Sequence, residues 1–117
     1  MRRLPIAIAV ALAALPAAAM TQKFDGEWTV EARTTVGACQ PEVAGTVTVQ
    51  DGRVVASSGA DIGVWGYIEA DGVVSARFTQ GQAMLRVQGA LKDASGSRTW
   101  SSNTNYCGGK WTAQRMK

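Results

Sequence analysis

From Phe24 onward, apolar and polar residues alternate with a period of two, and glycine-containing turns break the pattern every eight to twelve residues. That spacing belongs to antiparallel barrels and sandwiches rather than to helices. In the first predicted strand Trp28, Val30, Ala32, Thr34 and Val36 share one face, and Glu27, Thr29, Glu31, Arg33 and Thr35 the other, as in a half-buried strand. A loop with Gly37, Cys39 and Pro41 follows, and then Val43, Gly45, Val47 and Val49 face away from Thr46, Thr48 and Gln50. Asp51-Gly52 predicts a two-residue hairpin, because both residues tolerate the positive φ of a type I′ turn, and this sets Val49 opposite Val54. Ser57-Ser58-Gly59 opens the next loop, and a fourth strand runs through Val64, Gly66 and Ile68. Ala70-Asp71-Gly72 predicts a three-residue turn with Gly72 left-handed, since only that register puts Ile68 opposite Val74.

A fifth strand covers Val73 to Thr79 and, after a turn at Gly81, a sixth covers Ala83 to Leu91. Lys92 to Ser97 is read as a turn, with the last two strands at Arg98–Ser102 and Lys110–Met116. No stretch carries helical periodicity with caps. The fold class is therefore all-β: a small antiparallel eight-stranded meander that closes, or nearly closes, into a barrel, because closure removes unpaired sheet edges. A curled open sheet or a sandwich is the alternative. Eight strands enclose an interior just wide enough for side chains or one small ligand. Val, Ala, Gly and Thr dominate the inward faces, with one Trp near each end of the sequence, which predicts a mostly filled barrel.

The N-terminus breaks this pattern. Arg2 and Arg3 precede an apolar run from Leu4 to Leu15, and Ala17-Ala18-Ala19 supplies small residues for a signal peptidase. Residues 1–19 read as a secretory signal peptide, too short and weakly flanked for a membrane span, and 20–117 as a single barrel-like domain. The expected location is the periplasm or the extracellular space. Export places Cys39 and Cys107 in an oxidising compartment, where an even count reads as a disulfide. First and last strands are neighbours in a closed meander, so bridge and barrel support one another.

Charge changes the picture mainly by exclusion. The chain carries +3, but without Arg2 and Arg3 ten basic residues remain against nine acidic ones. No basic stripe runs along the strands, so nothing points to nucleic acid or a membrane surface. The chain has no His, which removes the commonest general base and transition-metal ligand. Asp25, Glu27, Glu31, Asp61 and Glu69 show no paired spacing, and Ser57, Ser58, Ser101 and Ser102 have neither His nor a Ser-x-x-Lys as activator. No catalytic residue, metal site or cofactor is assigned. Trp65 and Tyr67 alternate with Val64, Gly66 and Ile68, so they face outward and form the candidate binding surface. A register shifted by one residue would make these rings core instead.

Gly26-Glu27-Trp28 at the first strand, with Trp111 and Arg115 on the last, resembles the calycin group of lipocalins, avidins and small periplasmic metalloprotease inhibitors. In many of those barrels an Arg on the final strand packs across the strand-one Trp, so the resemblance implies a buried Trp28 with Arg115 on its ring. Cation–π attraction gives that pair a physical basis. A longer pattern covers nearly the whole of 20–117: Phe24-Asp25-Gly26, Trp28, Gly37, Cys39, Gly52-Arg53-Val54, Gly63, Asp71-Gly72 and Cys107-x-Gly109-x-Trp111-x-Ala113-x-Arg115. It resembles short exported β proteins of proteobacteria that are mostly uncharacterised, and implies compartment and fold without an activity. Some of those proteins carry names suggesting haem use. With no His, and only Met84 or Tyr67 as axial ligands, haem is set aside.

The sequence thus supports an exported non-enzymatic binding or interaction module with an unknown protein or saccharide partner. Alternatives are a structural envelope or stress protein with no dedicated ligand, an inhibitor of an exported protease, and an enzyme with an unrecognised acid pair. A carrier of a small apolar ligand would need an open cavity near Trp28.

Overall fold

The meander is punctuated by residues that accept a positive φ. Asp51 (φ 55°) and Gly52 (φ 76°) form the two-residue turn, and Val49 faces Val54 across it. Gly72 (φ 95°) closes the longer turn that sets Ile68 opposite Val74. In the computed structural model, which describes residues 21–59 and 61–116, these turns link eight antiparallel strands. They are β1 (Gly26–Val36), β2 (Glu42–Gln50), β3 (Arg53–Ser57), β4 (Gly63–Ile68), β5 (Val73–Gln80), β6 (Ala83–Lys92), β7 (Ser95–Ser102) and β8 (Gly108–Arg115). Each strand pairs with the next, and β8 returns to β1 to complete a closed barrel. Among the described residues there is no helix, hence none long and apolar enough to cross a membrane. The proposed signal segment 1–19 lies outside the described residues.

Two local expectations are corrected. β7 begins at Ser95 rather than Arg98, because Asp93 (φ 58°) and Ala94 suffice to turn the chain. Ser95-Gly96-Ser97 has poor strand propensity, but ladders to β6 and to β8 hold it on both sides. Val36, expected inside by simple alternation, is 55% exposed. A register shift between Thr34 and Val36 in the β1–β8 ladder rotates it outward.

The two ends of the barrel differ. At one end Phe24, Trp28 and Ile68 are each 2% exposed and pack with Val49, Val74 and Leu91. Residues 21–25 cover this end: Trp28 Nε1–H donates to the Phe24 carbonyl at 2.9 Å, and the Asp25 carboxylate accepts from Asp51 N–H at 2.8 Å and Gly52 N–H at 3.2 Å. At the other end lie the β1–β2, β3–β4, β5–β6 and β7–β8 loops. A Cys39–Cys107 disulfide, with Cα atoms 6.0 Å apart, joins the first of these loops to the last. Gly37 (φ 92°) makes the approach feasible, since a Cβ there would lie 2.6 Å from the Cys107 Cα.

The bridge spans 68 residues of sequence and joins the loops flanking the only seam that links chain ends. Restricting the unfolded chain over such a loop stabilises the fold by roughly 4 kcal/mol. Replacing both cysteines by Ala should therefore lower Tm by about 15–30 °C, given a few degrees per kcal/mol for a domain of this size. Calorimetry of the double variant checks this, and an unchanged Tm would contradict it.

Candidate functional site

Side-chain volume inside the barrel is unevenly distributed, and that creates a cavity. Phe24, Trp28, Ile68 and Leu91 crowd the covered end, whereas the middle and far levels mix the small residues Val30, Ala32, Gly45, Val47, Ala76 and Val87 with Trp111, Trp100, Phe78 and Leu85. Exposure follows the same gradient: on β1 Trp28 is buried while Val30 and Ala32 are half-buried, and on β5 Val74 and Ala76 are buried while Phe78 is half-buried. The space left has a volume of about 420 Å³ and runs from Trp28, Ile68 and Leu91 towards Phe78 and Leu85. The sequence predicted a mostly filled barrel. The difference arises because Val30, Ala32, Gly45, Val47, Ala76 and Val87 leave space beside rings that stand at several levels, with Trp28 opposite Arg115, Trp111 opposite Ala32 and Trp100 opposite Gly109.

The tryptophans define both the walls and the chemistry of this space. Trp111 crosses over Gly89, where a Cβ would stand 2.6 Å from its Cζ2, and its Nε1–H is shared between the Gln88 and Thr99 carbonyls, each at 3.0 Å. Trp100 is buried and donates from Nε1 to the Arg33 carbonyl at 3.3 Å. With Trp28 bonded to Phe24, all three inward indole N–H groups are satisfied by backbone. They present carbon surface and no spare donor to the interior. Among the described residues no charged one lines the cavity, and its polar lining residues apart from Thr46 (Gln40, Ser57, Ser58, Thr79 and Gln80) belong to the far end. The arrangement is an apolar cup with a polar rim.

Arg115 closes the opposite end. It pairs with Trp28 across β1–β8, and its Cζ lies 5.0 Å from the centre of the Trp28 ring. The guanidinium donates to the Lys23 carbonyl at 2.8 Å and the Asp93 carbonyl at 3.4 Å, tying the N-terminal segment and the β6–β7 turn to β8. Trp28 and Arg115 thus have a structural role beneath the cavity.

Trp65 and Tyr67 lie elsewhere. Both project from the outer face of β4, 55% and 37% exposed, with ring centres 5.7 Å apart and planes at 71°. The register is the one that keeps Val64 and Ile68 inside, so these rings are not core. Arg77, directly opposite Trp65 on β5, holds its Cζ 5.1 Å from the Trp65 ring centre. Sequence reasoning passed over Arg77 because the pairing partner of Trp65 emerges only from the β4–β5 register. Of the candidate acids, Asp25 is engaged by the β2–β3 turn, and Glu42, outside that set, faces Arg33 in an exposed ion pair at 3.7 Å. Among the described residues no group of three or more His, Cys, Asp or Glu could hold a metal. No protein-family model matches the chain, and no curated protein matches it.

The two kinds of tryptophan should respond differently to truncation. Trp28→Ala empties the base of the core and should cost about 3–5 kcal/mol in urea unfolding. Trp65→Ala, on the outer face, should stay within about 1 kcal/mol of the parent protein. Equal losses at both positions would contradict this assignment of core and surface.

Proposed function

We propose that the protein is an exported, non-enzymatic carrier that holds one small apolar molecule inside its barrel. The observation that carries this reading is the apolar cavity of about 420 Å³, within the size range of small-molecule sites. Its lining determines the ligand class. With no charge and no spare indole donor inside, a buried ionic group would go unpaired, at a cost of several kcal/mol. An apolar body fits the interior, and a small neutral polar group fits the rim at Gln40, Ser57 and Thr79. The disulfide is consistent with an oxidising compartment, and together with the basic start, apolar run and Ala17-Ala18-Ala19 it supports export to the periplasm or beyond. The Gly26-x-Trp28 opening with Arg115 on the Trp28 ring supports kinship with calycin barrels. The chain's lack of His and of a Ser-x-x-Lys activator favours binding over catalysis.

The test is titration with N-phenyl-1-naphthylamine, a neutral apolar fluorophore that brightens when buried. We expect saturable one-to-one binding with a micromolar Kd. Ala32→Phe and Val87→Trp, which fill the cavity from opposite walls, should each weaken it at least tenfold while Tm holds or rises. Absence of saturable binding, or undiminished binding in both filled variants, would overturn the carrier reading.

A further inference from the structure

The outer wall of the barrel is electrically divided. β1 and β2 carry Glu27, Glu31 and Glu42 against Arg33, whereas β3 to β8 carry basic residues and no acidic one, with Arg53, Arg77, Arg86 and Lys92 on β3 to β6. The exposed rings of Trp65 and Tyr67 stand on that basic wall. Cross-strand register gathers the groups: Tyr67 pairs with Arg53, Trp65 with Arg77, and Arg77 with Arg86. Two arginines directly opposite each other repel, and no carboxylate on these strands offsets them. The ion pair found among the described residues, Arg33–Glu42, is on the other wall. A folded chain in water would be easier to stabilise with Ser or Thr at these positions. The wall has the composition of a site that receives an anion beside an apolar ring.

We propose that this wall binds an acidic oligosaccharide, a sugar chain bearing uronate carboxylates. Its sugar rings lie against the exposed Trp65–Tyr67 pair, and its carboxylates engage Arg77 and Arg86, with Arg53 at the Tyr67 side. Guanidinium forks match planar carboxylates with two parallel hydrogen bonds, and aromatic rings offer apolar surface to the C–H faces of sugars. Adjacent strands are about 4.8 Å apart, so a carboxylate on a ring resting at Trp65 reaches the next strand's arginine. A protein partner fits less well. The closed sheet gives an extended peptide no free strand edge on which to pair. Two rings and three guanidinium groups also cover far less than the roughly 800 Å² per partner of a standard protein interface.

The test is calorimetric titration of the disulfide-bonded protein with tetragalacturonate, against neutral maltotetraose, poly-L-glutamate and phosphatidylglycerol vesicles. We expect tetragalacturonate to bind at least tenfold more tightly than each of the other three, and to weaken several-fold on raising salt from about 50 to 500 mM. Trp65→Ala and Arg77→Gln/Arg86→Gln should each reduce binding at least tenfold, with Tyr67→Ser as an independent check on the ring pair. The Tm of each variant should stay within a few degrees of the parent, which confirms folding, and N-phenyl-1-naphthylamine binding should match the parent's, which separates this wall from the interior. No binding of tetragalacturonate, or full binding by the variants, would overturn the proposal. Equal or tighter binding of maltotetraose, poly-L-glutamate or the vesicles would overturn the assignment to an acidic sugar.

Discussion

The structure depends on the seam between β1 and β8. Every other seam joins strands that follow one another in sequence, so a short turn sets its register. This one must bring the two ends of the domain together across most of the chain, and loop-closure entropy opposes it. Three features secure it at different levels. The Cys39–Cys107 bridge pins the loops at the open end, the ladder from Trp28↔Arg115 to Ala32↔Trp111 pairs the strands between, and Arg115 stacks on Trp28 at the covered end. Without the seam, β1 and β8 would become free edges and the interior would open along its length.

Closure alone does not dictate an empty interior. The hollow follows from where the large side chains sit. Phe24, Trp28, Ile68 and Leu91 crowd the covered end, and Trp111 passes over Gly89 at the level of Ala32. Above the covered end, Val30, Ala32, Val47 and Val87 pack only in part against the core and leave space between them. The upper levels leave room because small residues stand between the rings there. Backbone satisfaction of the three inward indole N–H groups makes that room apolar, which is a property of the ladder carbonyls as much as of the tryptophans.

Much of the fold was legible in the chain. Asp51-Gly52 and Ala70-Asp71-Gly72 carry their turn types in their residues, and alternation then fixes Val49 opposite Val54 and Ile68 opposite Val74. Eight strands without helical patterning point to a closed meander, and that closure is observed. The cavity was not legible, because a list of inward residues gives their total volume but not their height along the barrel axis. Trp100 lies in a serine-rich strand whose alternation says little, and its inward side appears only in the structure, where it is buried and donates to the Arg33 carbonyl. Val36 was misplaced because a bulge has no signature in Thr34-Thr35-Val36. The outward direction of Trp65 and Tyr67 followed from parity, whereas the arginines beside them are brought there by pairing across three strands.

The central claim is that the barrel contains accessible apolar space above Trp28. Xenon reports such space directly, because it enters dry apolar cavities and ignores polar ones. A crystal of the disulfide-bonded protein pressurised with xenon should show anomalous density inside the barrel, between Trp28 and Leu85 and against Val30, Ala76 and Val87. An interior without xenon, filled instead by side chains that close over Trp28, would contradict the account.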